Sequence, residues 1–302
     1  MPQKTLIVVI GPTAIGKTAL AIELAQFYQT EIISADSRQF FKEMHIGTAK
    51  PSSEELATAP HHFIDSHSVK TLFSTGDFEA AALQLMEELF KKHDVLIMVG
   101  GSGLYIDAVC KGLDELPEID LEIREQLNQQ FATDGIESIR KQLAALDPEY
   151  YAKVDQSNPQ RMIRGLEVVL STGKKLSSFL TASKKVRPFN ILKVGLNTDR
   201  ALLYERINHR VDLMMEAGLL QEVQELLPYR QYNALNTVGY SELFDYLDGK
   251  SDLALAIAMI KQNTRRFAKR QLTWFRRDEN TAWFEPNHTN EVIGYIQNKL
   301  KA

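Results

Sequence analysis

The run Gly11-Pro-Thr-Ala-Ile-Gly16-Lys17-Thr18 constrains what this chain can fold into more than any other feature. It is a complete G-x-x-x-x-G-K-[ST] phosphate loop. Leu6 to Ile10 ahead of it is a β-branched run, as expected of a strand buried on both faces. Thr18 to Ala25 behind it is made of good helix formers. Strand, glycine loop and helix start together make a nest of backbone N–H groups facing an anion, reinforced by the helix dipole. Gly11, Pro12, Thr13, Ala14, Ile15, Gly16, Lys17 and Thr18 are therefore expected to surround a di- or triphosphate. Lys17 would neutralise the outer phosphate charge, and the Thr18 hydroxyl would hold a Mg2+ ion.

Length and composition set the frame around this loop. The 302 residues allow one large or two modest domains, and 44% apolar with 25% charged residues is ordinary for a globular protein. One cysteine, Cys110, excludes a disulfide framework and a cysteine-based zinc site. The first strand begins almost at the N-terminus, leaving no room for a signal peptide, and no apolar run approaches the roughly 20 residues of a membrane helix. A cytoplasmic chain with no membrane partner is expected. Nothing demands a dimer, so a monomer is expected too.

The net charge of −4 argues against a nucleic-acid partner only globally. Between Lys261 and Arg277 lie seven Lys/Arg and no Asp or Glu. On a helical wheel Arg265, Lys269 and Arg276 lie together, with Arg266, Arg270 and Arg277 in an adjacent row. Phe267, Ala268, Leu272, Trp274 and Phe275 are assigned to the opposite, apolar side. A solvated face is the bland alternative, but such faces usually mix signs, and an unmixed stripe in an acidic protein points to a polyanion.

After the first helix, Glu31 to Ser34 is expected as a second strand, ending in Ala35-Asp36-Ser37-Arg38-Gln39. Phe78 to Lys92 has helical spacing. Val95 to Val99 is expected as a third strand, ending in Gly100-Gly101-Ser102-Gly103. Strands alternating with helices imply an α/β fold, a P-loop NTPase-like parallel sheet with helices on both faces, whose ligands sit at the carboxyl ends of the strands. From Leu113 the texture turns helical and polar until Phe189 to Gly195, which resembles a returning strand. A helical insertion over 113–187 is expected within a core made of 1–112 and 188–302.

Asp36 lies 19 residues after Lys17 at a strand exit, suitably placed to take a proton from a nucleophile approaching the phosphate ligand. A cap or turn aspartate is the alternative. The Val95 to Val99 strand ends without the acidic residue that many phosphate-loop enzymes use to hold Mg2+, which favours direct transfer to an acceptor. Its glycines allow close approach of backbone to ligand and Ser102 offers a hydroxyl, although such a turn is also a simple tight connection.

The segments Gly11 to Thr18, Ser34 to Gln39, Ile46-Gly-Thr-Ala-Lys-Pro51, Gly100-Gly-Ser-Gly-Leu-Tyr105, Asn158-Pro-Gln-Arg161 and Ala268-Lys-Arg-Gln-Leu-Thr-Trp274 stand in the order of one family. The chain resembles bacterial tRNA dimethylallyltransferases from about residue 5 to 277. The resemblance implies transfer of a dimethylallyl group from dimethylallyl diphosphate to the exocyclic amine of the adenosine 3′ to a tRNA anticodon, with pyrophosphate leaving. It implies catalytic roles for Asp36, Ser102, Lys17 and Arg210, with Mg2+ on Thr18. Arg210 is preferred over Arg206 as the diphosphate contact, a structural salt bridge with Glu205, Asp212 or Glu222 being the alternative. Asp36, Ser37, Arg38 and Gln39 are implied tRNA contacts, as are Ser102, Gln160, Arg161, Met162, Ile163 and Arg164. Lys269 and Arg270 would meet backbone phosphate, and Arg124 is a further candidate against a charged-surface reading. The insertion would clamp the anticodon stem-loop. Ser102 stands where many relatives carry threonine, and Ile15 where serine is common.

Two features are read as structural. His61, His62, Asp65 and His67 suit no standard metal-ligand spacing and lie in a loop-like stretch, with Phe63 and Ile64 packing. Gln126 to Phe131 with Ile136 to Leu146 is core of the insertion rather than a partner surface. The competing functions are a small-molecule kinase using ATP, with Asp36 activating a hydroxyl, and a nucleotide-dependent RNA-binding module without transfer chemistry.

Overall fold

Thr5–Ile10 forms the first strand, β1, with every side chain buried. The phosphate loop then leads into α1 (Lys17–Tyr28), with Gly16 in the left-handed conformation as its cap. The structure, a computed structural model, describes residues 4–181 and 185–301, so 182–184 of the expected insertion lie outside the described residues. The chain continues through β2 (Ile32–Ser34), α2 (Ser53–Thr58), β3 (His61–His62), α3 (Thr75–Leu89), β4 (Val95–Val99) and α4 (Gly103–Lys111). Four helices follow: α5 (Leu121–Asp134), α6 (Ile136–Leu146), α7 (Pro148–Lys153) and α8 (Pro159–Thr172). Then come β5 (Asn190–Leu196), α9 (Arg200–Glu216), α10 (Leu219–Glu225), α11 (Tyr240–Leu247), α12 (Leu253–Phe275), β6 (Ala282–Phe284) and α13 (Thr289–Lys301).

The strands form one parallel sheet in the order β3-β2-β4-β1-β5-β6. Successive side chains of a strand point to opposite faces, and both faces here are covered. Ile7, Val9, Ile97 and Val194 pack with Leu20 and Leu24 of α1, Leu203 and Ile207 of α9, and Val292 and Ile296 of α13. Leu6, Val8, Ile33 and Met98 pack with Phe78 and Met86 of α3 and Ile106 and Val109 of α4. On this second face Phe40 stacks on Phe78 with ring centroids 5.3 Å apart, and Phe63 meets Phe78 edge-on at 5.1 Å. Ser74 caps α3 reciprocally with Asp77, which moves the helix start three residues ahead of the expected Phe78.

Two strands depart from the expected pattern. His61–His62 is an edge strand paired with Ile32 and Ile33, not a loop. Val95–Val99 is therefore the fourth strand, and Ala282–Phe284 closes the other edge against Val194, Gly195 and Leu196.

The chain divides into two compact units, Met1–Lys111 with Val186–Ala302, and Gly112–Lys185. The second unit has its own small core, Leu127, Ile139, Leu143, Met162, Ile163 and Leu166. Met162 is fully buried and Ile163 is 5% exposed, because both fall on the apolar stripe of α8 with Leu166 and Val169. Within the segment expected to contact RNA, these two side chains hold the unit together. Gln160 and Arg161, immediately before them and nearer the Asn158 cap, are exposed. Arg164 reaches Glu167 at 3.3 Å, and Arg124 pairs with the same fully buried carboxylate. Both arginines thus neutralise Glu167, which without them would be an uncompensated buried charge.

Candidate active site

The loops after β1, β2 and β4 all leave the carboxyl edge of the sheet, where ligands of open α/β sheets bind. In the phosphate loop Gly11, Ala14 and Gly16 take positive φ of 148°, 62° and 104°. Gly11 has a second constraint, since a Cβ there would lie 2.6 Å from the Leu196 carbonyl oxygen. Ile15 is fully buried in the core beneath the loop, so it anchors the loop and leaves the anion to the backbone.

Two adjoining cavities share Lys17, Thr18, Ala49, Pro51 and Arg210. The larger, about 380 Å³, runs over the phosphate loop from Ala14 to Ala19 and is bordered by Lys50, Glu55, Arg206 and His209. The smaller is lined by Asp36, Gln39, Thr48, His61, Ile64 and Phe267, among others. The Lys17 ammonium donates to the Pro12 carbonyl at 2.8 Å. Desolvation lowers its pKa to about 8, against the opposing pull of Asp36, and Arg210 lowers it further. Arg210 donates to Thr13 Oγ1 at 3.5 Å, and burial lowers its pKa too. Two of the three alternative salt-bridge partners are engaged elsewhere. Asp212 pairs with Lys261 at 2.5 Å. Glu222 accepts from the N–H groups of His45, Ile46 and Gly47 and from the Tyr240 hydroxyl. That crown of donors fixes the turn leading into Thr48, Ala49 and Pro51 on the cavity wall.

The segment after β2 forms a second network. Asp36 Oδ1 accepts from the Arg38 N–H at 3.1 Å, so the turn aspartate and the cavity-facing aspartate are one residue. Ser37 N–H donates to Ser102 Oγ at 3.0 Å, and Ser102 Oγ donates to Ser37 Oγ at 3.1 Å. The Ser102 hydroxyl therefore ties the β2 and β4 exits together. Arg38 donates to the carbonyls of Asn233 and Asn236, at 3.2 and 3.4 Å. Gln39 donates to the carbonyls of Thr48 and Ala49, at 3.3 and 3.1 Å.

The glycines after β4 are also required by neighbouring protein. A Cβ on Gly100 would meet the Ala35 carbonyl oxygen at 2.3 Å, on Gly101 the Gln271 Nε2 at 2.3 Å, and on Gly103 the Trp274 ring at 2.4 Å. They admit neighbouring protein, and Gly100 also lines the smaller cavity. Gln271 is the residue that sequence reasoning missed. It lies three residues after Ala268 and four before Phe275, on the buried face of α12, and a glutamine at that spacing is the signal. His61 is a second such residue: it faces the smaller cavity, its Nδ1 donates to the Ala59 carbonyl at 2.8 Å, and its Nε2 is buried with no partner among the described residues. Burial lowers its pKa, which favours the neutral ring.

On α12, Lys269 and Arg270 are exposed, and neither pairs with a carboxylate among the described residues. Phe267 departs from its assigned apolar side, being 38% exposed at the cavity rim, whereas Ala268 and Phe275 are buried. Leu272 lines a groove together with Lys269 and Arg276, so it borders the basic row rather than opposing it.

A family model described as IPP transferase matches residues 39–278. The chain is 56% identical over 296 residues to a tRNA dimethylallyltransferase of Christiangramia forsetii, covering 98% of each. It is 48% identical to tRNA dimethylallyltransferase 1 of Bacteroides fragilis over the full length of both. Among solved structures, the tRNA isopentenylpyrophosphate transferase of Bacillus halodurans superposes with a TM-score of 0.73 at 36% identity, over 99% of this chain and 97% of that one. A eukaryotic dimethylallyltransferase acting on tRNA gives 0.79 at 26% identity, over 98% of this chain and 80% of that one.

Proposed function

The chain belongs to the IPP transferase family, and on that premise we propose that it is a tRNA dimethylallyltransferase, moving a dimethylallyl group from its diphosphate to the exocyclic amine of the adenosine 3′ to the anticodon. The observation that carries the assignment of roles is the pair of joined cavities, one over the phosphate loop and one against Asp36, with Lys17 and Arg210 on the shared wall.

The donor diphosphate lies over the loop N–H groups at the start of α1, where Lys17 and Arg210 take up the charge that grows on the leaving oxygen. As C1 of the dimethylallyl group parts from that oxygen, the adenosine amine nitrogen bonds to C1 and its proton passes to Asp36. Pyrophosphate leaves through the larger cavity. Ile64, Val99 and Phe267 give the smaller cavity an apolar side for the prenyl chain. The donor set suits Mg2+: the Thr18 hydroxyl offers one hard oxygen, and this ion characteristically takes its remaining ligands from substrate phosphates and water. When bound it would supply further neutralisation of the diphosphate.

The RNA would be held by Ser37 to Gln39 at the cavity mouth, by Lys269 and Arg270 through backbone phosphate, and by Gln160, Arg161 and Arg164 of the helical unit, which would grip the anticodon stem. The proposed enzyme is a monomer, and the RNA substrate is in keeping with a cytoplasmic one. Among the described residues no helix is long and apolar enough to cross a membrane.

The test incubates protein, Mg2+ and unmodified tRNA with radiolabelled dimethylallyl diphosphate, and with labelled ATP in parallel. Prenyl label in the RNA, abolished by Lys17→Ala, is expected. Unlabelled RNA together with ATP consumption on a small acceptor would replace the transferase with a kinase.

A further inference from the structure

Gln271 is 6% exposed on α12, and both ends of its amide are bonded to different parts of the site. Its Oε1 accepts from the Thr13 N–H of the phosphate loop at 2.8 Å, and its Nε2 donates to the Gly101 carbonyl at 3.0 Å. The opposite chemistry of the two partners, one donor and one acceptor, requires an amide in this orientation. Each partner continues inward. Thr13 Oγ1 receives Arg210, and the residue after Gly101 is Ser102, whose hydroxyl holds Ser37 beside Asp36. Trp274, one turn further along α12, donates from Nε1 to Asp107 of α4 at 2.9 Å and packs against Gly103, so the helix carrying the amide is itself fixed to the chain beyond β4.

We propose that Gln271 is a positioning residue that sets the separation between the leaving-group cradle and the proton acceptor. This rests on the transferase reading for its kinetic consequence, but the link itself spans the phosphate loop and the β4 exit whatever the acceptor is. The amide touches no reacting atom. It acts through Thr13 and Gly101, holding two loops that belong to different strands in one register, with α12 as the common support. Transfer chemistry needs the nitrogen, C1 and the departing oxygen in line, so a displacement of either loop by about 1 Å is enough to cost about 10²-fold.

The structure also supplies a cross-check. A Cβ on Gly101 would lie 2.3 Å from Gln271 Nε2, while the next nearest atoms, Gln271 Cδ and Asp36 Oδ2, are 3.5 and 4.0 Å away. Gly101 does not have a positive φ, so Gly101→Ala is obstructed by the amide alone. A double-mutant cycle therefore reads the link directly.

Gln271→Met, of similar volume and without polar ends, should lower the transfer kcat by about 10²-fold and weaken binding of Mg2+-pyrophosphate, while tRNA affinity stays at the wild-type value. Should that variant fail to fold, Gln271→Glu retains the acceptor for Thr13, loses the donor to Gly101, and should show the same split more weakly. Gly101→Ala should be as damaging as Gln271→Met in the native background and change kcat and pyrophosphate affinity less than about twofold when combined with Gln271→Ala, as coupling through a shared contact predicts. Wild-type kcat in Gln271→Met, or an equal cost of Gly101→Ala in both backgrounds, would overturn the proposal. Pyrophosphate calorimetry on the same proteins repeats the cycle without RNA. The expected coupling there, in a protein that labels no RNA, would contradict the transferase reading and uphold the Gln271 link.

Discussion

The two sides of the candidate site are built on opposite electrostatic plans. Over the phosphate loop, Lys17, Arg206 and Arg210 stand together with no carboxylate in salt-bridge contact among the described residues, and desolvation lowers the pKa of both Lys17 and Arg210. Cations held this way are costly until an anion arrives. Across the shared wall, the loop residues from Asp36 to Gln39 are already engaged: Asp36 Oδ1 by Arg38, Ser37 by Ser102, Gln39 by Thr48 and Ala49, with His61 Nε2 left unpartnered among the described residues. One side stores unmet charge for a ligand, and the other stores geometry. A transferase needs both, since the leaving group gains charge during the reaction while the acceptor must only be aimed and deprotonated.

That contrast is broken most severely on the acceptor side. Asp36→Ala should reduce single-turnover transfer to prebound tRNA by about 10²- to 10⁴-fold, the range of a lost acid–base group, with tRNA affinity little changed. Turnover near the wild-type rate would remove Asp36 as the proton acceptor.

The donor side is sharpened by pH. In the free protein Lys17 keeps its proton only below about 8, and the anion selects the protonated form. Affinity for a non-reacting thio-analogue of dimethylallyl diphosphate, itself fully ionised in this range, should therefore be level below pH 8. Above it, affinity should fall by up to about tenfold per pH unit, as linkage to one proton requires. An affinity unchanged up to pH 10 would place the Lys17 pKa much higher and deny the desolvated cradle.

The smallest effect belongs to the outer track. Lys269→Ala with Arg270→Ala should weaken tRNA binding several-fold, and the slope of log affinity against log salt should flatten by about 0.7 to 1 for each RNA phosphate no longer neutralised. An unaltered slope would take this face of α12 out of the interface.

How far the site can be read without coordinates follows the same division. The donor side is legible because strand, loop, lysine and helix are consecutive, and Gly11 and Gly16 both take positive φ, although Gly11 is also confined by distant Leu196. Asp36 is legible as a strand exit. The acceptor side is less so, because its constraints come from distant residues: Gly101 is small on account of Gln271, Gly103 on account of Trp274, and Gly47 on account of Tyr240. The edge strands β3 and β6, two and three residues long, carry no periodicity of their own and exist through pairing with β2 and β5. Met162 and Ile163 are within reach of periodicity, since positions 162, 163, 166 and 169 make one helical stripe, whereas the resemblance to RNA-contacting segments of relatives speaks only for the segment as a whole.

The division of labour is tested most directly by titrating Mg2+-pyrophosphate calorimetrically into Lys17→Ala and Asp36→Ala side by side at pH 7. The account predicts that Lys17→Ala loses binding by about 10²-fold or more, the scale of one preorganised charge-stabilising donor, while Asp36→Ala binds at least as tightly as the native chain. Equal losses in the two variants would contradict it, because the cradle and the proton acceptor would then be one undivided anion site.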